Sequence, residues 1–164
     1  MHHQPDGAAF DIVLLLHVGC VVVGLVTTAA AAAMATRLRR LLGSPLPLPE
    51  PLRRYFRPGF NWAGRTVYGV PVFGFALLAM SQGAYSLGQG WVLGGLAIFV
   101  AVALLGEGVL WPMERRLQSA LTPVDGTSAP PTESLEHDAT SMSRAGIAAV
   151  VLLVAGVVLM VAQP

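Results

Sequence analysis

Two side chains stand where their surroundings argue against them. His17 and Glu107 lie well inside long apolar stretches, with Cys20 one helical turn beyond the histidine. An ionised group at the centre of a bilayer costs roughly 2.5–3.5 kcal/mol on insertion scales, so each calls for a partner. The simplest use of the imidazole is a hydrogen bond to a neighbouring helix, to a Thr, to Ser81 or to a free carbonyl. The alternative is a cofactor-binding His17, holding haem b or copper through a ring nitrogen. Bis-histidine ligation needs a second, well-placed His, and the others are His2, His3 and His137. A second ligand would then come from another subunit, or from Met80 or Met160. His2 and His3 form a separate candidate for metal. A free amino terminus followed by His at position three offers nitrogen ligands in the square-planar geometry that suits copper(II). For Glu107 the expected partner is Arg65, with Arg144 second, in a structural ion pair.

Other chemistry is not encoded. There is no paired-carboxylate cleft, no Ser/His/Asp set, no phosphate-binding Gly loop beside a strand and no Cys/His cluster at metal spacing. Transport is disfavoured as well, because four short helices without an inverted repeat offer few buried polar groups. The expectation is a protein that is not an enzyme and that most simply carries no cofactor.

The elements around these residues follow from composition. Hydrophobic residues make up 54% of the 164 and charged residues 12%, with a mean hydropathy of +0.64. A soluble domain carries about 25% charged residues, so too little polar surface is present to coat a particle in water. The apolar residues fall into four blocks, about 10–36, 63–84, 91–113 and 144–162, each near the ~20 residues that cross a bilayer. The fold expected is all-α, a four-helix transmembrane bundle in one domain. Residues 117–143 are Ser/Thr/Pro-rich with four acids and no Arg, and read as a disordered linker. Along the first block, His17, Cys20, Gly24, Thr27/Thr28 and Ala31 make a small or polar face opposite Leu15, Val18, Val22, Leu25 and Val26. Small residues mark close helix approach in lipid, so the His17 face should point into the bundle. Gly90, Gly94, Ala97 and Ala101 suggest the same for the third helix, and Pro71 should kink the second.

All ten basic residues are Arg, and seven of them crowd residues 37–65 against one acid, Glu50. Short loops rich in basic residues stay in the cytoplasm. Residues 37–65 and the linker therefore belong inside and both termini outside, in the inner (plasma) membrane of a bacterium. Within the hinge, Arg53, Arg54, Tyr55, Phe56, Arg57 and Trp62 interleave guanidinium groups with rings. That pattern suits a segment lying among anionic lipid headgroups or docking a partner. A bilayer explains the same charges without nucleic acid.

The run Leu14-Leu-Leu-His-Val-Gly-Cys-Val-Val-Val-Gly24, Gly74 with the glycine-rich hairpin after it, and Trp111-Pro-Met-Glu-Arg-Arg116 carry a resemblance. Over about residues 11–117 the chain resembles small bacterial membrane proteins related to the copper-resistance CopD group, among them an uncharacterised four-helix family of predicted integral membrane proteins. The resemblance implies a four-helix bundle with a helix-1 His suspected of haem or copper handling. The all-Arg, Ala/Val/Gly-heavy composition resembles that of an actinobacterium. There, small helical proteins of this type resemble accessory subunits of the cytochrome bcc–oxidase supercomplex. The function expected is an accessory or assembly subunit of a larger membrane complex, with a His17-based redox protein as the alternative.

The topology is directly measurable. With Cys20→Ser as background, Arg57→Cys should react with a membrane-impermeant maleimide in inverted vesicles and stay unlabelled in intact cells. Labelling from outside intact cells would invert the assignment.

Overall fold

A computed structural model describes residues 7–42, 44, 47–59, 61–122 and 132–162. Among these residues the regular structure is entirely helical. The elements are α1 (Ala8–Leu41), α2 (Glu50–Tyr55), α3 (Trp62–Met80), α4 (Gly90–Leu121) and α5 (Thr132–Ala162). α1, α3, α4 and α5 have 34, 19, 32 and 31 residues and are apolar enough to cross a membrane. Their many Val and Ile residues are no obstacle there, because hydrocarbon leaves each N–H no acceptor except its own helix.

Two of the long helices change pitch at a proline. α3 opens with Asn61, whose Oδ1 accepts from the Gly64 N–H at 3.0 Å. It tightens to a 3-10 turn over Thr66–Tyr68 before Gly69–Met80, so the break expected at Pro71 is taken up just ahead of it. α4 widens to a π turn at Gly106–Leu110, where the Trp111 N–H donates to the Gly106 carbonyl. Pro112 follows at once. It has no N–H for the Gly108 carbonyl and its ring would crowd that oxygen, a conflict that a wider turn relieves.

The hairpin between α3 and α4 is short, as expected. The buried Ser81 hydroxyl donates to the Leu78 carbonyl at 2.8 Å and accepts from the Tyr85 N–H at 3.2 Å. The chain then reverses through Gln82 and Gly83 at φ 51° and 89°, and the second is a backbone that glycine adopts without strain. Tyr85 and Trp91 meet edge to face, 5.7 Å between centroids.

Several boundaries differ from the sequence reading. α4 runs on to Leu121 rather than ending near 113, and α5 begins at Thr132 rather than 144. Of the expected linker 117–143, residues 123–131 lie outside the described residues, and the described flanks are helical. Glu133 in the first turn of α5 favours that start, since carboxylates stabilise a helix N-terminus. The missed signal is the spacing of Ala139, Met142, Gly146, Ala149, Leu153 and Gly156, all buried. It steps 3, 4, 3, 4 and 3 residues and marks one packing seam along α5.

The chain divides into two compact units. The first combines residues 1–27, 61–102 and 151–164. Here the α1 face expected to point inward does so. His17 and Gly24 are buried and Cys20 half-buried, whereas Leu15, Val18, Val22 and Val26 are exposed. α4 departs from expectation at Gly90 and Ala97, both exposed, with nothing within 4 Å of a β-carbon on Gly90. Gly94 and Gly95 receive Leu159 and Met160 of α5, and Ile98 packs on Gly156. Tyr68 of α3 meets Phe99 of α4 edge to face at 6.1 Å.

The second unit combines residues 28–60 and 103–150. Its core joins Ala31, Ala35 and Leu38 of α1 to Ala139, Met142, Ala145 and Ala149 of α5, with Leu110, Trp111 and Leu117 from α4. Thr36 and Ser143 share a hydrogen bond of 2.7 Å between α1 and α5. A β-carbon on Gly146 would lie 2.8 Å from the Ala32 β-carbon and 3.2 Å from its α-carbon. Neither atom is the end of a flexible chain, so the helices themselves would have to part. Gly146→Val should destabilise by about 1–3 kcal/mol. Gly108→Ala, where nothing lies within 4 Å, should be neutral or stabilise by up to about 1 kcal/mol. Thermal unfolding of both variants in mild detergent checks the contrast.

Candidate functional site

α1 and α3 meet as knobs in glycine holes. Reading along α1, Gly24 faces Val67, Cys20 faces Gly69 and His17 faces Gly74, so side chain and glycine exchange helices along the contact. A β-carbon at Gly69 would fall 2.5 Å from the Cys20 sulfur, and one at Gly74 would lie 3.4 Å from His17 Cε1. The two glycines are five residues apart on α3 and let its backbone approach the polar face of α1.

His17 sits at the end of this contact nearer the start of α1, 8% exposed. Its Nδ1 lies 2.9 Å from the Val70 carbonyl. A carbonyl only accepts, so Nδ1 carries the proton and Nε2 keeps its lone pair. The bond to a neighbouring helix that the sequence reading expected is therefore made to a backbone oxygen. The carbonyl deprived of its usual donor by Pro71 is that of Val67, and Gly69 N–H turns to it and to Thr66. Val70 uses its second lone pair.

Among the described residues no group of three or more His, Cys, Asp or Glu is placed to hold a metal ion. His2 and His3, the copper candidate, lie outside the described residues. His137 is exposed on α5 in the second unit, whereas His17 belongs to the first. Glu107 is exposed on the π turn of α4, and Arg65 is half-buried near the start of α3. They fall in different units.

The basic hinge is more ordered than its composition suggests. Among its described residues the polyproline run gives way to the helix α2, with Pro51 in its first turn. Leu52 and Phe56 are each 1% exposed, while Arg53, Arg54 and Arg57 are exposed. Phe56 was expected among the docking rings and is instead a core residue, because i, i+4 spacing sets it beside Leu52 on the inward face. Tyr55 stacks edge to face on Phe56 at 5.0 Å. Its hydroxyl is buried without a hydrogen-bond partner among the described residues. Trp62 is 75% exposed and keeps the character of an interfacial ring.

Sequence reasoning passed over a buried polar set in the second unit. Glu114 and Gln118 of α4 are 6% and 8% exposed, and Ser143 of α5 is 4% exposed. Glu114 precedes Arg115 and Arg116, a context that suggests solvent. The helical spacing of Leu110, Trp111, Glu114, Leu117 and Gln118 puts all five on one face, and all five are buried. Burial, and then the negative charge of Glu114, push the Tyr55 phenol above its ordinary value. Arg116 and Asp138 meet at 3.8 Å on the outside of this unit, a surface pair worth about 0–1 kcal/mol.

The family model for predicted integral membrane proteins designated DUF2269 matches residues 11–164. The chain belongs to that family. Neither a curated protein nor a solved structure matches it. The membership agrees with four membrane-length helices, and it makes the chain a multi-pass membrane protein.

The buried phenol yields a prediction. Tyr55→Phe removes a desolvated hydroxyl that bonds to nothing and should raise stability by about 1 kcal/mol. The pH dependence has a definite sign. Unfolded tyrosine ionises near pH 10 and the folded phenol only above that, so the wild type loses stability as pH rises beyond about 10. The difference between wild type and Tyr55→Phe should widen from pH 8 to pH 11 in detergent-solubilised unfolding curves.

Proposed function

We propose that this member of the DUF2269 family is a non-enzymatic accessory or assembly subunit of a larger complex in a bacterial inner membrane. By type that complex is respiratory, such as the actinobacterial cytochrome bcc–oxidase assembly. Both termini lie outside, and the arginine-bearing hinge lies in the cytoplasm. The observation that carries this reading is the filled interior of the first unit. Gly24, Gly69, Gly74, Gly94 and Gly95 are each occupied by a side chain of a facing helix. Such packing favours a part that presents surfaces over one that encloses a substrate.

A second reading rests on one observation, the Nδ1–H bond of His17 to the Val70 carbonyl. A backbone carbonyl in that position orients metal-bound histidines and leaves Nε2 as the ligand. His17 would then hold haem b or copper, with the second ligand from a partner subunit, in keeping with the resemblance to the copper-resistance group.

Affinity purification in mild detergent followed by mass spectrometry and a visible spectrum separates the two. The accessory role is expected to give a colourless protein that brings down oxidase or cytochrome subunits in fixed ratio. A protein that emerges alone from native membranes overturns it. A Soret band or bound copper that disappears in His17→Ala moves the assignment to the second reading.

A further inference from the structure

α2 has six residues, far below the ~12–15 at which a helix in water stands by itself. Leu52 and Phe56 hold it by burying their side chains in the second unit. That leaves the other face to Arg53, Arg54 and Arg57, all exposed, with Glu50 as the single acid of the helix. Arg53 and Arg54 are consecutive at the end of α2, and Arg57 follows in the next turn, where its N–H donates to the Arg54 carbonyl at 3.3 Å, so three like charges stand within five residues and repel one another. Arg37, Arg39, Arg40, Arg115, Arg116 and Arg144 belong to the same unit and are exposed. Seven of the nine acids belong to it too, and Asp138 meets Arg116 at 3.8 Å, so the unbalanced charge is that of α2 and the turn after it.

A patch of this kind lowers its energy by taking up an anion. The chain spans a membrane, so the nearest dense source is the phosphate layer at the membrane surface. Helices that lie on a bilayer ordinarily sink their apolar face into it. α2 has no such face to offer, since Leu52 and Phe56 are committed to the protein interior. We propose that Arg53, Arg54 and Arg57 form a headgroup site for anionic phospholipid, bound through phosphate and without insertion of α2 among the acyl chains. Guanidinium suits that ligand, because its planar fork takes two phosphate oxygens at once where an ammonium presents a point charge. Binding therefore follows headgroup charge, weakens with salt and ignores acyl-chain length.

The test uses purified full-length protein without partners, so its outcome is separable from that of the accessory role. Protein reconstituted in equimolar phosphatidylglycerol and phosphatidylcholine is re-extracted, and the retained lipid is quantified by mass spectrometry. Wild type should retain an excess of phosphatidylglycerol, and each Arg→Gln change at residues 53, 54 and 57 should lower the ratio up to about fivefold. Arg115→Gln with Arg116→Gln should lower it much less. R53K/R54K/R57K should fall between wild type and the triple Gln variant, and unfolding temperatures confirm that all variants are folded. Millimolar inorganic phosphate should leave the ratio unchanged, whereas displacement by it assigns the patch to free phosphate and overturns the proposal. An unchanged ratio in the triple Gln variant also overturns it. If that variant, isolated separately from native membranes, also loses a protein that wild type brings down, the patch is an interface for an acidic partner.

Discussion

In hydrocarbon a helix gains nothing by hiding leucine from its surroundings, so contact between helices depends on how closely two backbones can approach. The contacts of α1 with α3 and with α5 obey that constraint. In the first unit, Gly69 and Gly74 of α3 make room for Cys20 and His17, and Gly24 of α1 makes room for Val67. In the second, Gly146 of α5 lies against Ala32 so tightly that even one added carbon is excluded. Bulky side chains such as Leu15, Val26, Leu104 and Val161 are 61–82% exposed on the outside, where lipid packs against them at no cost. The distribution inverts the pattern of a soluble core without changing its physics.

Polar groups inside such a bundle have to be satisfied by the backbone or by one another. His17 shows the first solution, sharing a carbonyl that already belongs to its own helix. Thr36 with Ser143 shows the second, a hydroxyl pair joining α1 to α5. The second unit goes further and buries Glu114 and Gln118 beside apolar neighbours. Among the described residues the Tyr55 hydroxyl is the exception, a buried donor with no acceptor. Its ring packs on Phe56, whose complete burial keeps α2 in place. Shape holds this tyrosine where hydrogen bonding does not.

These interiors leave the protein's outward character to its surfaces. Lipid-facing aliphatic residues cover the spans, arginines cover the second unit, and Trp62 stands out at the start of α3. α4 adds an irregular π turn that carries Glu107 outward. What such a chain offers a partner is charge and shape at its exterior, together with the Nε2 of His17 if that atom is used.

Membrane class, span number and the inward face of α1 were legible in the sequence because each follows from a one-dimensional quantity. Apolar run length reports crossing, and helical spacing reports which side of α1 is small. The hydrogen-bond role of His17 was legible for the same reason, since a lone polar group in an apolar run must find a partner across the nearest helix. The acceptor was not, because any backbone oxygen of α3 would serve until Gly74 and Val70 were placed. Composition misled at 132–143, where Ser, Thr and acidic residues suggested irregular chain, and it left the helix α2 in the hinge unread. Helix there depends on neighbours: Leu52 and Phe56 find a cavity to fill, and Ala139 and Met142 extend a seam that begins inside the membrane-length segment. The burial of Glu114 was hidden likewise, since a carboxylate followed by two arginines looks solvated until the helix is turned. The sequence alone determined what can enter a membrane, because transfer energy sums residue by residue. Tertiary structure alone decided which short or polar segments are held, because that energy exists only between surfaces brought together from distant parts of the chain.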